Sequence, residues 1–265
     1  MKRSVAQLLF ILAAAVPASA SWTDVAAGVA YRRFVSEGRD IHAARIDLRR
    51  VDILTTPEAD RGLVVSEFAE RRGTVVAVNA DFFDRDRNPV GLSVGPCGPW
   101  EGTADNERQA VVAFGDDRVE IYPEKELTPP EPWMRGAVSG YPVLVRGCRA
   151  RTSSELPGGD LFTRSPHPRT AVGFSRDGNT MYLVVADGRR TEVPGLTLPE
   201  LASWMRRTLK VCSALNLDGG GSSAMWVGGR IVNRPSDGLE RPVANHLGVV
   251  TAGSTAVDCD QPGPK

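Results

Sequence analysis

The chain has 265 residues, 42% of them hydrophobic and 24% charged, and its 32 basic side chains balance 32 acidic ones. That composition excludes a disordered tail, a collagen-like fibre and a disulfide-dense mini-protein, and a chain of this length buries roughly three quarters of its unfolded surface unaided. Zero net charge, with no Lys/Arg run longer than two, leaves no electrostatic footprint for nucleic acid or an anionic membrane, so any bound phosphate must be held by local contacts.

At the N-terminus, Lys2 and Arg3 precede an apolar stretch from Val5 to Val16, and Pro17 with Ala18-Ser19-Ala20 forms an A-x-A cleavage pattern before Ser21. This predicts a signal peptide over residues 1–20, because the stretch falls short of the roughly 20 residues that cross a bilayer. Its removal takes away two bases and no acid and leaves a formal charge of −2. The expectation is a secreted or periplasmic protein with no integral membrane segment. That compartment favours disulfides among Cys97, Cys148, Cys212 and Cys259, with all pairings open. None of the four lies in a C-x-x-C, and no His is placed to complete a zinc site. No cofactor and no essential metal are expected.

Further along, Ile46 to Leu54 alternates in part and predicts a strand. Ser66 is placed to cap a short helix from Glu67 to Arg72 that Gly73 ends. Thr74 to Asn79 is a β-branched run of the buried-strand kind, emerging into Asn79-Ala80-Asp81-Phe82-Phe83. Two hairpins follow. Ala110 to Phe114 and Arg118 to Tyr122 flank Gly115-Asp116-Asp117, while Ala171 to Phe174 and Thr180 to Ala186 flank Arg176-Asp177-Gly178-Asn179.

Thr197-Leu198-Pro199-Glu200 is a capping box with proline in the first turn, and Leu201, Trp204, Met205 and Leu209 recur at helical spacing. The predicted helix runs from Leu198 to Lys210 and feeds a strand from Ala214 to Leu217. A third hairpin, Ala224 to Val227 with Arg230 to Asn233 about Gly228-Gly229, and a strand from Leu247 to Thr251 complete the chain. Strands outnumber helices, so the predicted class is α+β, a mostly antiparallel sheet packed with a few helices in a single domain over residues 21–265.

The densest chemical signal is Asn216-Leu217-Asp218-Gly219-Gly220-Gly221-Ser222-Ser223. A strand ends at an acid, three glycines remove every Cβ, and two hydroxyls follow, which suits an anion nest of backbone N–H groups. The lysine of a Walker A loop is absent. His167-Pro168-Arg169-Thr170 runs into Ala171-Val172-Gly173 and would hold Arg169 on a strand as a phosphate fork. Taken alone, the triple glycine reads as a wide turn, Arg169 as a surface arginine paired with an acid, Asn79 as a turn former and His246 as a structural histidine.

Together, Asn79-x-x-Phe82-Phe83, Pro168-Arg169-Thr170-Ala171-Val172-Gly173, Asn216-Leu217-Asp218-Gly219-Gly220-Gly221-Ser222 and Arg241-Pro242 make the stretch from Thr74 to Val250 resemble the phosphodiester glycosidase family. The resemblance implies hydrolysis of the glycosidic C–O bond of a sugar 1-phosphodiester, with release of a sugar and a phosphomonoester, and the expected export points to an exopolysaccharide or cell-wall polymer as the substrate. It carries over Asn79, Arg169, Thr170, Asp218, Gly219, Gly220, Gly221 and Ser222, and Asp81 and His246 join them.

In that scheme Asp218 faces the anomeric carbon as nucleophile, base or electrostatic stabiliser, Asp81 is the second carboxylate and His246 assists proton transfer. Arg169 and the 219–221 amides hold the phosphate, with Thr170, Ser222 or Ser223 donating further hydrogen bonds. Two other readings stay open. One is a P–O-cleaving phosphodiesterase; the other is a non-catalytic polysaccharide-binding module with Trp100, Trp133, Trp226 and Tyr141 as stacking platforms.

Overall fold

Glycine-punctuated β-branched runs become strands in the computed structural model, which describes residues 21–103, 109–124, 130–157 and 159–253. The expected signal peptide, the C-terminal residues and Cys259 lie outside the described residues. The chain opens with β1 (Thr23–Ala26), β2 (Val29–Ser36), β3 (Arg39–Asp47), β4 (Val51–Thr55), α1 (Val65–Arg72) and β5 (Val76–Asn79). Its middle holds β6 (Val94–Gly95), β7 (Gly98–Pro99), β8 (Ala110–Phe114), β9 (Val119–Tyr122), β10 (Gly136–Gly140), β11 (Val143–Arg146) and β12 (Arg149–Ala150). Then come α2 (Asp160–Thr163), β13 (Arg169–Phe174), β14 (Thr180–Ala186), α3 (Leu198–Trp204), β15 (Ser213–Asn216), β16 (Met225–Val227), β17 (Arg230–Ile231) and β18 (His246–Thr251).

These strands make three sheets, one of eight in the order β1-β2-β3-β14-β13-β15-β11-β12 and two of five, β7-β6-β10-β8-β9 and β17-β16-β5-β18-β4. Every strand pairing among the described residues is antiparallel. One apolar cluster draws Ile46, Val172 and Leu215 from the large sheet, Val112 and Val138 from the second, and Val76 and Val249 from the third. A second cluster seats Leu198, Leu201, Ala202 and Met205 of the α3 segment on Ala43, Ala171 and Val184. Each such fully buried Leu or Met contributes about 1.5–3 kcal/mol. On the third sheet Val65, Phe68 and Ala69 of α1 cover Ala77 and Trp226.

The departures from the expected elements have local causes. The strand expected over Ile46 to Leu54 is the end of β3 and the start of β4, split by a turn in which the Asp47 carboxylate accepts the Arg49 N–H at 3.2 Å. Helix α1 starts before Ser66, whose N–H and hydroxyl both donate to Glu240, at 2.9 and 2.6 Å, instead of capping the helix. Gly73 ends it at φ 63°, as expected. The α3 segment widens after Trp204 into a π-type turn and stops at Lys210, which takes a left-handed φ of 61°. Cys148 and Cys212 form a disulfide, and Cys97 is also disulfide-bonded. No helix among the described residues is long and apolar enough to cross a membrane.

Candidate active site

Strand β15 delivers its acid to the seam between the large sheet and the third sheet. Leu217 donates its N–H to the Thr170 carbonyl at 2.9 Å, and the next residue, Asp218, donates to the Ala80 carbonyl just past β5 at 2.8 Å. Beneath the seam lies Asn79, fully buried: its Nδ2 donates to the Asp218 carbonyl at 2.6 Å, and its Oδ1 accepts the Thr170 hydroxyl at 2.8 Å and the Ala224 N–H at 3.3 Å. Ser223 Oγ stands 3.3 Å from the same Thr170 hydroxyl. Asn79, Thr170 and Ser223 thus form a dry bracket that fixes the main chain of Asp218.

Other groups approach the three glycines closely. A Cβ on Gly219 would lie 2.8 Å from the Pro168 carbonyl, one on Gly220 2.8 Å from Arg189 Nη2, and one on Gly221 would overlap Arg241 and Asp237. Gly220 also takes a φ of 59°. Most loop amides are already engaged. Gly219 donates to Asp218 Oδ1 at 2.8 Å, Gly220 to the Pro168 carbonyl at 2.9 Å, and Ser222 and Ser223 donate back to Gly219 and Gly220, each at 3.2 Å. Among the described residues, only the Gly221 N–H of this run has no hydrogen bond.

Asp218 itself is half-buried. Burial pushes its carboxyl up to about 6, against the Ser222 hydroxyl, the Gly219 N–H and the charges of Arg241 and Arg189. Ser222 Oγ is buried beside it without a hydrogen bond of good geometry. Arg169 sits 3% exposed, its Nε donating to the Leu196 carbonyl at 2.9 Å and its Nη2 to the Phe162 and Ser165 carbonyls at 2.7 and 3.1 Å. Most of the fork expected to take phosphate is therefore spent on main chain. Arg169 has no carboxylate partner among the described residues, and burial, with neighbouring Arg189, brings it down to about 10. It remains a buried, uncompensated positive charge at neutral pH.

Above the loop lies a constellation to which no role was assigned from sequence. Arg189, Asp237 and Arg241 are exposed, Arg241 pairs with Asp237, and Arg189 lies 3.7 Å from the same carboxylate. Arg189 reaches the loop because it takes a left-handed φ of 59°. Asp187-Gly188 before it and Gly238 after Asp237 are ordinary turn signals, and Arg241 carried part of the family resemblance without a role of its own.

Asp81 lies deeper, 1% exposed, with Oδ1 accepting the Ser139 N–H at 2.7 Å and Oδ2 the Ser93 hydroxyl at 2.9 Å. Burial pushes it up to about 8, the contacts of Asn245, Ser139 and Ser93 pull the other way, and the charge of Asp218 pushes up further. The two acids are therefore electrostatically coupled, and burial favours the neutral form of Asp81. His246 is placed elsewhere, its ring stacked on Phe68 of α1 at 4.5 Å and its Nδ1 3.0 Å from Thr56 Oγ1. Burial holds it neutral, at about 3, and neither Asp81 nor Asp218 influences it. Of the aromatic platforms weighed from sequence, Trp100 and Trp226 are buried, whereas Tyr141 stands beside Asn216.

One further cluster has ligand-type atoms within 4.8 Å of one another: Asp40, His42 and Asp187. Arg33 donates to both oxygens of Asp40 at 2.7 Å, and Arg190 donates to Asp187 at 2.9 Å, so each carboxylate already has its counter-charge. Asp187 also accepts the Arg234 N–H at 3.1 Å and the Asn233 amide at 3.2 Å, and Asn233 in turn holds the Ser223 carbonyl at 3.1 Å. That ion-pair network braces the turn carrying Arg189 against the chain that leaves the glycine loop.

The family model for phosphodiester glycosidase matches residues 72–250. The SPbeta prophage-derived uncharacterized protein YomE of Bacillus subtilis is 30% identical over 189 residues, covering 69% of this chain and 29% of that protein. Mouse N-acetylglucosamine-1-phosphodiester alpha-N-acetylglucosaminidase is 30% identical over 233 residues, covering 78% of this chain and 44% of the enzyme. The chain thus spans less than half the length of either relative. Among solved structures, the zebrafish N-acetylglucosamine-1-phosphodiester alpha-N-acetylglucosaminidase catalytic domain, auto-inhibited by its pro-peptide, superposes with a TM-score of 0.71 at 21% identity, over 84% of this chain and 83% of that one. That likeness establishes the fold.

Proposed function

This chain belongs to the phosphodiester glycosidase family, and we propose that it hydrolyses the glycosidic C–O bond of a sugar 1-phosphodiester to a free sugar and a phosphomonoester. The observation that carries this reading is one half-buried carboxyl, Asp218, on a loop reached by the guanidinium groups of Arg189 and Arg241. Cleavage at the anomeric carbon develops positive charge on the sugar ring and leaves an anionic phosphate, so it calls for a carboxylate and a cluster of cations side by side.

Arg189 and Arg241 are the groups placed to take the phosphate, because they are exposed and share the Asp237 carboxylate. The Gly221 N–H adds a donor, and Arg169 ties the Phe162, Ser165 and Leu196 carbonyls behind Arg189. Asp218, ionised above about 6, serves the anomeric carbon as nucleophile or as base for water. A phosphate leaves readily, so little general-acid assistance is needed. Asp81 is a buried hydrogen-bonding hub behind Asp218, and His246 is a wall of the third sheet.

Export is part of the proposal. It is supported by the cleavage pattern at residues 1–20 and by the Cys148–Cys212 disulfide, which suits an oxidising compartment. A phosphodiester-linked exopolysaccharide or cell-wall polymer is then the accessible substrate class. The test is a panel of sugar 1-phosphodiesters differing in sugar and anomer, with products identified by mass. Free sugar and phosphomonoester should form, and Asp218→Asn should lower turnover by at least about 10²-fold. Normal rates in that variant, or no turnover across the panel, would defeat the reading.

A further inference from the structure

Three half-buried rings converge on segments that hydrogen-bond to the site. Phe82 follows Ala80, whose carbonyl holds the Asp218 N–H at 2.8 Å. Tyr141 leaves β10, donating its N–H to the Asn216 carbonyl at 2.8 Å and accepting Asn216 Nδ2 on its own carbonyl at 2.7 Å. Phe162 lies in α2, and its carbonyl takes Arg169 Nη2 at 2.7 Å. The Phe162 ring is 6.1 Å from Phe82 and 5.9 Å from Tyr141, and the Arg169 guanidinium carbon lies 5.5 Å from the Phe162 centroid. Three segments far apart in sequence thus place Phe82 and Tyr141 each against the Phe162 ring.

These rings are not part of the apolar core. Phe82 and Tyr141 belong to none of the four apolar clusters, and Phe162 only borders the one under α3. We propose that Phe82, Tyr141 and Phe162 form a sugar-stacking wall that takes the apolar C–H face of the substrate's sugar ring while Arg189 and Arg241 take its phosphate. A pyranose face presents polarised C–H groups, and the negative face of an aromatic ring attracts them. The hydrogen bonds from Asn216 and Arg169 fix the wall relative to Asp218, so a stacked sugar has its anomeric carbon held at one depth.

The proposal rests on the glycosidase reading, and two measurements separate them. Tyr141→Leu, Phe162→Leu and Phe82→Leu keep apolar volume while removing the ring. Each should raise KM for the best panel diester about five- to tenfold, with kcat changed by less than about threefold. Saturation-transfer NMR with glucose 1-phosphate and N-acetylglucosamine 1-phosphate, irradiating aromatic protons, should mark the sugar C–H protons in the parent and lose that transfer in Phe162→Leu. Transfer without turnover by the parent would retain the wall and reject the glycosidase reading. Turnover by the parent with unchanged KM in all three folded variants, or absence of transfer to either sugar phosphate, would overturn the wall.

Discussion

Asp218 and Asp81 are both carboxyls raised by burial, but one lines a loop that cations reach and the other is sealed among hydrogen-bond donors. The rate should therefore rise with pH through about 6 as Asp218 ionises, and a kcat/KM profile flat across that region would contradict its role. For Asp81 the expected effect is on stability. With an ordinary carboxyl at 3.8 in the unfolded chain and about 8 in the folded one, only the folded chain keeps the proton between those values. Stability contributed by Asp81 is accordingly complete below 3.8, falls as pH rises through the window, and levels off above about 8. His42 and His246, held at about 4 and about 3 against an ordinary 6.5, act in the opposite direction below 6.5, so the variant must be compared with its parent at each pH. Asp81→Asn should flatten the decline measured by denaturant unfolding, and an unchanged slope would show that Asp81 is already ionised at neutral pH.

At the scale of elements, the turn after β14 shows how a rigid scaffold presents an exposed group. Asp187, 3% exposed, ties Arg190, Asn233 and the Arg234 N–H together, and Arg189 projects between these anchors. Asp187→Ala removes the shared acceptor from these part-buried partners and should cost about 1–3 kcal/mol. Arg189→Ala should change stability by no more than about 0.5 kcal/mol and act on KM instead. Equal melting temperatures for the two variants would contradict the brace.

The elements also show what the sequence could convey. The hairpin of β13 and β14 was legible because Asp177-Gly178 supplies the positive φ its turn needs, 74° at Gly178. Strand β10 was not, because Gly136-Ala137-Val138-Ser139-Gly140 reads as loop. Its glycines are there so that Thr55 and the Asn216 carbonyl can pack against the strand, a demand made by distant segments. Arg169 was located by its string, but its use of three carbonyls from the 162–165 and 196 regions is tertiary information. Arg189 and Asp237 sit in turns of common composition, and only the fold brings them over the glycines.

At the scale of the whole molecule, β3 pairs with β14 over seven positions and β4 with β18 over five, so the residues ahead of the family match are integral to two of the three sheets. The balance of 32 bases against 32 acids means that no broad field draws an anionic substrate in. Recognition is local to a few guanidinium groups, and kcat/KM should vary by less than about threefold between low and physiological ionic strength. A steep fall would point to long-range steering. The central claim concerns which bond breaks, and turnover of a sugar 1-phosphodiester in isotope-labelled water reports it directly. The heavy oxygen should appear in the released sugar and not in the phosphomonoester; label in the phosphate would mean P–O cleavage and contradict the account.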